Sequence, residues 1–167
     1  MTGGQDIRLR KVEPDDLPLL YAWENDAEAW PDSSTHNPLS REDLRSYIMQ
    51  TTGDIYRDGQ LRLIICSSCS DEPVGCVDLY DVDVRNRKAA VAIYVAPACR
   101  NQGVASMALM ELVSYVSRIL HFRLLYAVTR QTNVASLRAF QHAGFQQVCT
   151  LPDWTLEGDA CLLITRV

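Results

Sequence analysis

A chain of 167 residues, nearly half of them apolar, has enough material for one domain with a closed core, and a single domain over residues 1–167 is expected. The formal net charge of -5 argues against sequence-independent binding of nucleic acid, which needs a basic face to displace counterions, and it leaves room for a cationic partner. No apolar run is long enough to span a bilayer and no secretory leader is visible, so a cytoplasmic, membrane-free protein with six reduced cysteines is expected.

Met1 to Gln5 reads as a loose terminus, and Ile7 to Val12 alternates apolar and polar residues as a half-buried strand does. Glu13-Pro14-Asp15-Asp16 opens a helix that Leu17, Leu20 and Tyr21 carry to about Asn25. Asp26 to Pro38 holds two prolines, Trp30 and His36, and reads as an irregular loop of the kind where function collects. Ser40 and Asp43 have the spacing of a reciprocal helix cap, and Leu44, Tyr47, Ile48 and Thr51 supply the buried stripe behind it.

A turn at Arg57 to Gln60 leads into a strand over Leu61 to Cys66, a polar hairpin loop over Ser67 to Glu72, and a second strand over Pro73 to Tyr80. After a turn at Arg85 to Lys88, the strand Ala89 to Ala96 is apolar throughout, as one covered on both faces would be. Gly103 then opens a long helix to about Leu120, whose apolar positions recur at helical spacing. Arg123 to Val128 reads as a buried strand, Asn133 as an N-cap, Val134 to His142 as a short helix, and Gly144 as its C-terminal residue. Gln146 to Leu151 and Cys161 to Val167 are two final strands, joined by a loop containing Asp153, Trp154, Glu157 and Gly158. Alternating helices and strands of this kind give an α/β or α+β domain around a mixed sheet.

The junction from Ala92 to Ala105 is the stretch with chemistry in it. Strand, polar loop and helix meet at Arg100-Asn101-Gln102-Gly103, and a helix N-terminus offers unpaired N–H groups and partial positive charge to a phosphate. An ordinary strand-to-helix turn is the alternative, and neither GxGxxG nor GxxxxGK[ST] occurs in the chain. Cys66-Ser-Ser-Cys69 is a single CxxC without a second pair or a nearby His, so no metal is expected. Acidic residues cluster at Asp26, Glu28 and Asp32, at Asp78, Asp81 and Asp83, and at Glu157 and Asp159; a solvated surface is the plainer reading of such clusters.

Arg100-Asn-Gln-Gly103-Val-Ala105, followed at the right place by Asn133-Val-Ala-Ser136-Leu-Arg-Ala-Phe140-Gln-His-Ala-Gly144-Phe145, resembles the paired motifs of the GNAT acetyltransferase superfamily. The resemblance extends over the chain and is greatest to the branch with spermidine and ribosomal-protein N-terminal acetyltransferases. It implies a central mixed, mostly antiparallel sheet with splayed middle strands and helices on both faces, and direct acetyl transfer from acetyl-CoA to a small polyamine-like amine or a protein N-terminus. It also implies that the pantetheine arm would lie along Ile93, Tyr94 and Val95, with the Val95 N–H available to an oxyanion. The pyrophosphate would sit on Arg100, Asn101, Gln102, Gly103, Val104, Ala105 and Ser106. Asn133, Ser136 and Phe140 would flank the cofactor, and Arg130 or Arg138 would meet its phosphates. A homo-oligomer is compatible with the sequence.

Two positions depart from the family pattern: Phe140 stands where many members have a Tyr acid, and Ala90 where many have a Glu. The proton-handling candidates are therefore Asp78, Asp81 and Tyr94 with His36 behind them, and Trp30, His36 and Asp78 are the acceptor-side candidates. Each has a plainer reading, as a solvated strand residue, a core phenol or an exposed loop residue. The departures motivate a competing expectation, a catalytically weak or inactive CoA-binding module.

Overall fold

The computed structural model describes residues 6–33 and 37–167, so the expected loose terminus at residues 1–5 and the candidate His36 lie outside the described residues. Seven strands form one sheet in the order β1-β2-β3-β4-β5-β7-β6, with β1 Ile7–Lys11, β2 Leu61–Ser67, β3 Pro73–Asp83, β4 Lys88–Val95, β5 Leu124–Arg130, β6 Gln146–Thr155 and β7 Gly158–Arg166. Every neighbouring pair is antiparallel except β4 and β5, which run parallel. This is the mixed, mostly antiparallel sheet expected.

Among the described residues, five α-helices flank it: α1 Leu17–Glu24, α2 Arg41–Gln50, α3 Ile55–Asp58, α4 Val104–Tyr115 and α5 Val134–His142. The predicted cap of α2 is present in full, with Ser40 Oγ accepting from Asp43 N–H and the Asp43 carboxylate accepting from Ser40 N–H. Asn133 caps α5 by accepting from Ser136 N–H at 3.1 Å. The short α3 went unpredicted. Its signals were an Asp54 cap bonded to Tyr56 N–H and Gly59 at φ 70°, the left-handed conformation that favours glycine.

Alternation along the strands divides the core in two. Leu63, Ile65, Val77, Leu79, Val91 and Leu125 face α4 and α5, where they pack with Leu109, Leu112, Val116 and Phe140. The opposite face of β2 and β3 carries Ile64, Cys66 and Cys76 against Leu20, Trp23, Leu44 and Ile48 of α1 and α2. Among the described residues, no helix is long and apolar enough to cross a membrane.

Three expectations need correction. The long helix is α-helical only to Tyr115 and widens into a π-helical turn over Val116–Leu120. Asp153 and Trp154 lie within β6, not in a connecting loop; Asp153 adopts φ 49° and the pairing with β7 shifts between Leu151 and Thr155, an irregularity that hides the strand's alternation. Finally, β4 is not covered on both faces, because Ala92 is exposed and Ile93 to Val95 are half-buried. The cause is its separation from β5.

Gly75 of β3, opposite Val95 of β4, holds the two strands in close approach, since a Cβ there would fall 2.2 Å from the Tyr94 carbonyl oxygen. Gly75→Ala should therefore lower unfolding stability by about 2 kcal/mol or more, read as a reduced urea midpoint, because neither backbone can yield without breaking the ladder.

Candidate active site

β4 and β5 pair over three positions only, Lys88 with Leu124, Ala89 with Leu125 and Ala90 with Tyr126. Beyond that, β4 stays with β3 as far as Val95, and β5 stays with β7 as far as Arg130. The two parallel strands thus open from each other toward their C-terminal ends. Ala96 donates its N–H to the Val74 carbonyl of β3, so the alternation of an antiparallel ladder turns the N–H and C=O groups of Val95 and Ile93 the other way, into the opening. The side chains of Ile93 and Val95 pack toward α4, and those of Tyr94 and Ala96 pack toward α1.

Because β4 and β5 are parallel, the helices that follow them begin at the same end of the opening. α4 starts after Gly103, which has φ 78° and gives no side-chain cap. Among the described residues, the N–H groups of residues 101–106 find no protein acceptor. Arg100 to Gly103 is exposed, and Asn101 adopts φ 60°. Unpaired N–H groups at the positive end of a 12-residue helix fit a phosphate group, and the adjoining strand edge fits an amide-bearing arm. The Phe140 ring, by contrast, is 2% exposed and packs edge-to-face on Phe145 at 4.9 Å.

The face of the sheet on the α1 side is polar around the opening. Asp78 lies opposite Ala92 on one side and Arg62 on the other, and Arg62 holds both its carboxylate oxygens, at 2.7 and 2.8 Å. The same guanidinium bonds Glu24 at the end of α1 and sits over the Tyr47 ring. Asp81 adopts φ 49° at a bulge in β3 and accepts from the Tyr126 hydroxyl. Tyr94 donates to Asp26 at 2.9 Å and stacks at a tilt on Trp23. Burial first, and the Asp26 carboxylate second, push the Tyr94 phenol well above its ordinary range, so it stays protonated at neutral pH.

The segment after α1 spans the opening. Asp26 reaches the β4 side through Tyr94 and Arg100, whose guanidinium lies 3.5 Å away. Asp32 reaches the β5 side through a two-pronged pair with Arg130, at 2.6 and 2.9 Å. Trp30 does not point into the opening with its donor; its Nε1 bonds the Glu24 carbonyl at 3.0 Å and fastens the segment to α1.

Of the predicted residues, the fold brings Ile93, Tyr94, Val95, Arg100 to Ser106, Asn133 and Ser136 to one end of the opening. Asp78 and Asp81 lie on the polar face, the first with both oxygens engaged and the second with one. Sequence reading missed Glu24, Asp26, Arg62 and Tyr126 as members of the site. A lone Arg within the apolar run Leu61 to Cys66 was the available signal, since a buried guanidinium demands a buried acid. Cys66 and Cys69 separate, the first buried in β2 and the second exposed, and among the described residues no group of three or more ligating side chains could hold a metal.

Residues 6–146 match the model of a family described as an acetyltransferase (GNAT) domain. Spermidine N(1)-acetyltransferase of Escherichia coli is 22% identical over 148 residues, covering 87% of this chain and 75% of the relative. The spermidine N-acetyltransferase of Vibrio cholerae, solved in complex with CoA and spermine, superimposes with a TM-score of 0.86 at 18% identity, over 96% of this chain and 95% of that one. A ribosomal-protein α-N-acetyltransferase solved in complex with coenzyme A gives 0.84 at 16% identity, over 97% and 94%.

Two outcomes follow from the paired charges. Arg62→Ala leaves the Glu24 and Asp78 carboxylates facing one another without a cation and should destabilise the fold by about 3 kcal/mol in chemical denaturation at neutral pH. Burial alone would raise the Asp32 carboxyl, but Arg130 and the Asn133 side chain overcome it and hold Asp32 below the ordinary carboxylate range. A depressed carboxyl contributes stability above its unfolded pKa of about 3.9 and loses it as pH falls through the folded value. The destabilisation caused by Asp32→Asn should accordingly be present at neutral pH and shrink progressively as pH falls below about 3.9.

Proposed function

The chain belongs to the GNAT acetyltransferase family, and on that footing we propose that it moves the acetyl group of acetyl-CoA directly onto a primary amine, with a small polycationic amine as the favoured acceptor. The observation that carries this reading is the opening between β4 and β5, with backbone groups of Ile93 and Val95 turned into it and the uncapped start of α4 at its mouth. In this reading Ile93 to Val95 bind the pantetheine arm, residues 100–106 bind the pyrophosphate, and Asn133 and Ser136 stand on the far side.

Acetyl-CoA supplies an activated acyl carbon and a thiol leaving group. The chain has to place the amine, remove a proton from it and stabilise the oxyanion. The Val95 N–H, fixed by the β3 ladder and aimed into the opening, is a preorganised oxyanion donor. Tyr94 enters as a neutral phenol whose one proton is donated to Asp26, leaving its oxygen able to accept a hydrogen bond on the acceptor side. In this reading Asp78, held by Arg62, and Asp81, held by Tyr126, stand on the acceptor side, and Trp30 fastens the segment that spans it to α1.

The polycation preference rests on charge. Around the opening stand five carboxylates (Glu24, Asp26, Asp32, Asp78 and Asp81) against three guanidinium groups (Arg62, Arg100 and Arg130). The similar spermidine N-acetyltransferases of Escherichia coli and Vibrio cholerae fit the same preference. A second reading, a module that binds CoA without turnover, is favoured by one observation: Ala90 and Phe140, where many family members carry proton-handling groups, are both buried apolar side chains.

Thiol release from acetyl-CoA, followed across polyamines, monoamines and N-terminal peptides, decides between these. Polyamines should give the highest kcat/KM, and added salt should raise their KM as it screens the carboxylates. Equal kcat/KM for mono- and polyamines would remove the polycation preference, and tight CoA binding without acceptor-dependent release would leave only the binding module.

A further inference from the structure

Arg100 lies across the mouth of the opening. Its Nε donates to the Val95 carbonyl at 3.0 Å, its Nη2 stands 3.5 Å from Asp26, and its guanidinium sits over the Tyr94 ring. One side chain thereby covers a backbone acceptor on the cofactor side and a carboxylate on the acceptor side. We infer that the phosphates of acetyl-CoA compete with Asp26 and Val95 for Arg100, and that Asp26, once released, takes the proton of the acceptor ammonium. This rests on the acetyl-transfer reading above.

The two ends of the contact are unequally fixed. Asp26 is rigid: Asn25 before it bonds the Tyr21 carbonyl and both backbone groups of Leu39, Asp26 N–H bonds the Trp23 carbonyl, and its carboxylate accepts from Glu28 N–H and the Tyr94 hydroxyl. Arg100 belongs to the exposed loop ahead of α4, with 39% of its side chain open to solvent against 16% for Asp26. An exposed, long ion pair is weak, whereas guanidinium and phosphate pair through two charge-assisted hydrogen bonds. Phosphate arrival therefore moves Arg100 and leaves Asp26 in place. It uncovers the Val95 carbonyl for the cofactor's amide and strips Asp26 of its counter-ion in one event.

The step balances. An N–H bond of the acceptor ammonium breaks and its proton goes to the Asp26 carboxylate. The nitrogen lone pair forms the C–N bond, and the C–S bond breaks with its electron pair on sulfur. The nitrogen's second proton ends on that sulfur as thiol, and Asp26 returns its proton to water. Tyr94 holds the carboxylate in position throughout.

Calorimetric titration with CoA, together with steady-state kinetics on the acceptor that the unaltered chain turns over fastest, tests this in Asp26→Asn. The amide keeps an acceptor for Tyr94 and loses the charge. CoA should bind about twofold to fivefold tighter, since a competitor for Arg100 is gone, while kcat falls about 100-fold. Arg100→Gln should give the opposite split, with CoA bound about tenfold more weakly and KM for acetyl-CoA rising more than kcat falls. A merely structural role would lower affinity and rate together in both variants, and that result, or an Asp26→Asn protein matching the unaltered chain in both, would overturn the inference alone. Failure of the unaltered chain to bind CoA or to acetylate any amine would overturn the acetyl-transfer reading with it.

Discussion

The molecule depends on a ladder that stops early. After Ala90 and Tyr126, β4 and β5 lose each other as partners, yet each keeps its other neighbour to the end of the strand. Two parallel strands held outward by antiparallel partners cannot close again, and the backbone groups on their inner edges must find water, a side chain or a ligand. The Val95 carbonyl finds Arg100. The opening in the middle of the sheet is thus a backbone property, set by register, and it survives large changes in side chains. That accounts for a fold shared at TM-scores above 0.8 with proteins under 20% identical.

The two sides of the sheet are built by different physics. The α4 side is a continuous apolar core in which Leu109, Leu112 and Val116 pack on Val77, Val91 and Leu125. It fixes the helix whose uncapped start is proposed to meet the phosphates, so that end of the opening is positioned by burial. The α1 side has a small apolar core and then turns polar, with α1 tied to β3 through Glu24, Arg62 and Asp78. Charges at that depth contribute little net stability but are costly to separate, which makes them good spacers for a surface that a substrate must visit.

How much of this was legible follows from the range of each signal. The caps at Ser40 and Asn133, the order of strands and helices and the two glycine-bearing junctions are local, and they were readable from spacing and residue type. The uncapped start of α4 and the free edge of β4 involve backbone atoms of one contiguous stretch, which is why the sequence could single that stretch out. The acceptor side was not legible. Asp26 meets Tyr94 across 68 positions and Arg130 meets Asp32 across 98, and nothing in one segment announces its partner in the other. The exposure of Ala92 escaped for a related reason: an apolar run shows what a strand would bury, and only the register of β4 with β5 decides what it leaves open.

The acidic clusters show how a correct count can mislead about mechanism. Asp26, Asp32, Asp78 and Asp81 read as a negative patch, but every one of them already holds a donor: Tyr94 and Arg100, Arg130, Arg62 and Tyr126 respectively. A cationic substrate entering such a face does not meet free carboxylates. It has to exchange with a partner already present, and the exchange is easiest where the existing contact is longest and most exposed. Among these ion pairs the longest, and the one with the most exposed guanidinium, is Asp26 with Arg100, at 3.5 Å, while the Asp78 and Asp32 pairs are two-pronged and short. The long contact also lies where the start of α4 can draw the guanidinium's next partner, a phosphate, so charge exchange on the acceptor side is tied to occupancy of the cofactor side.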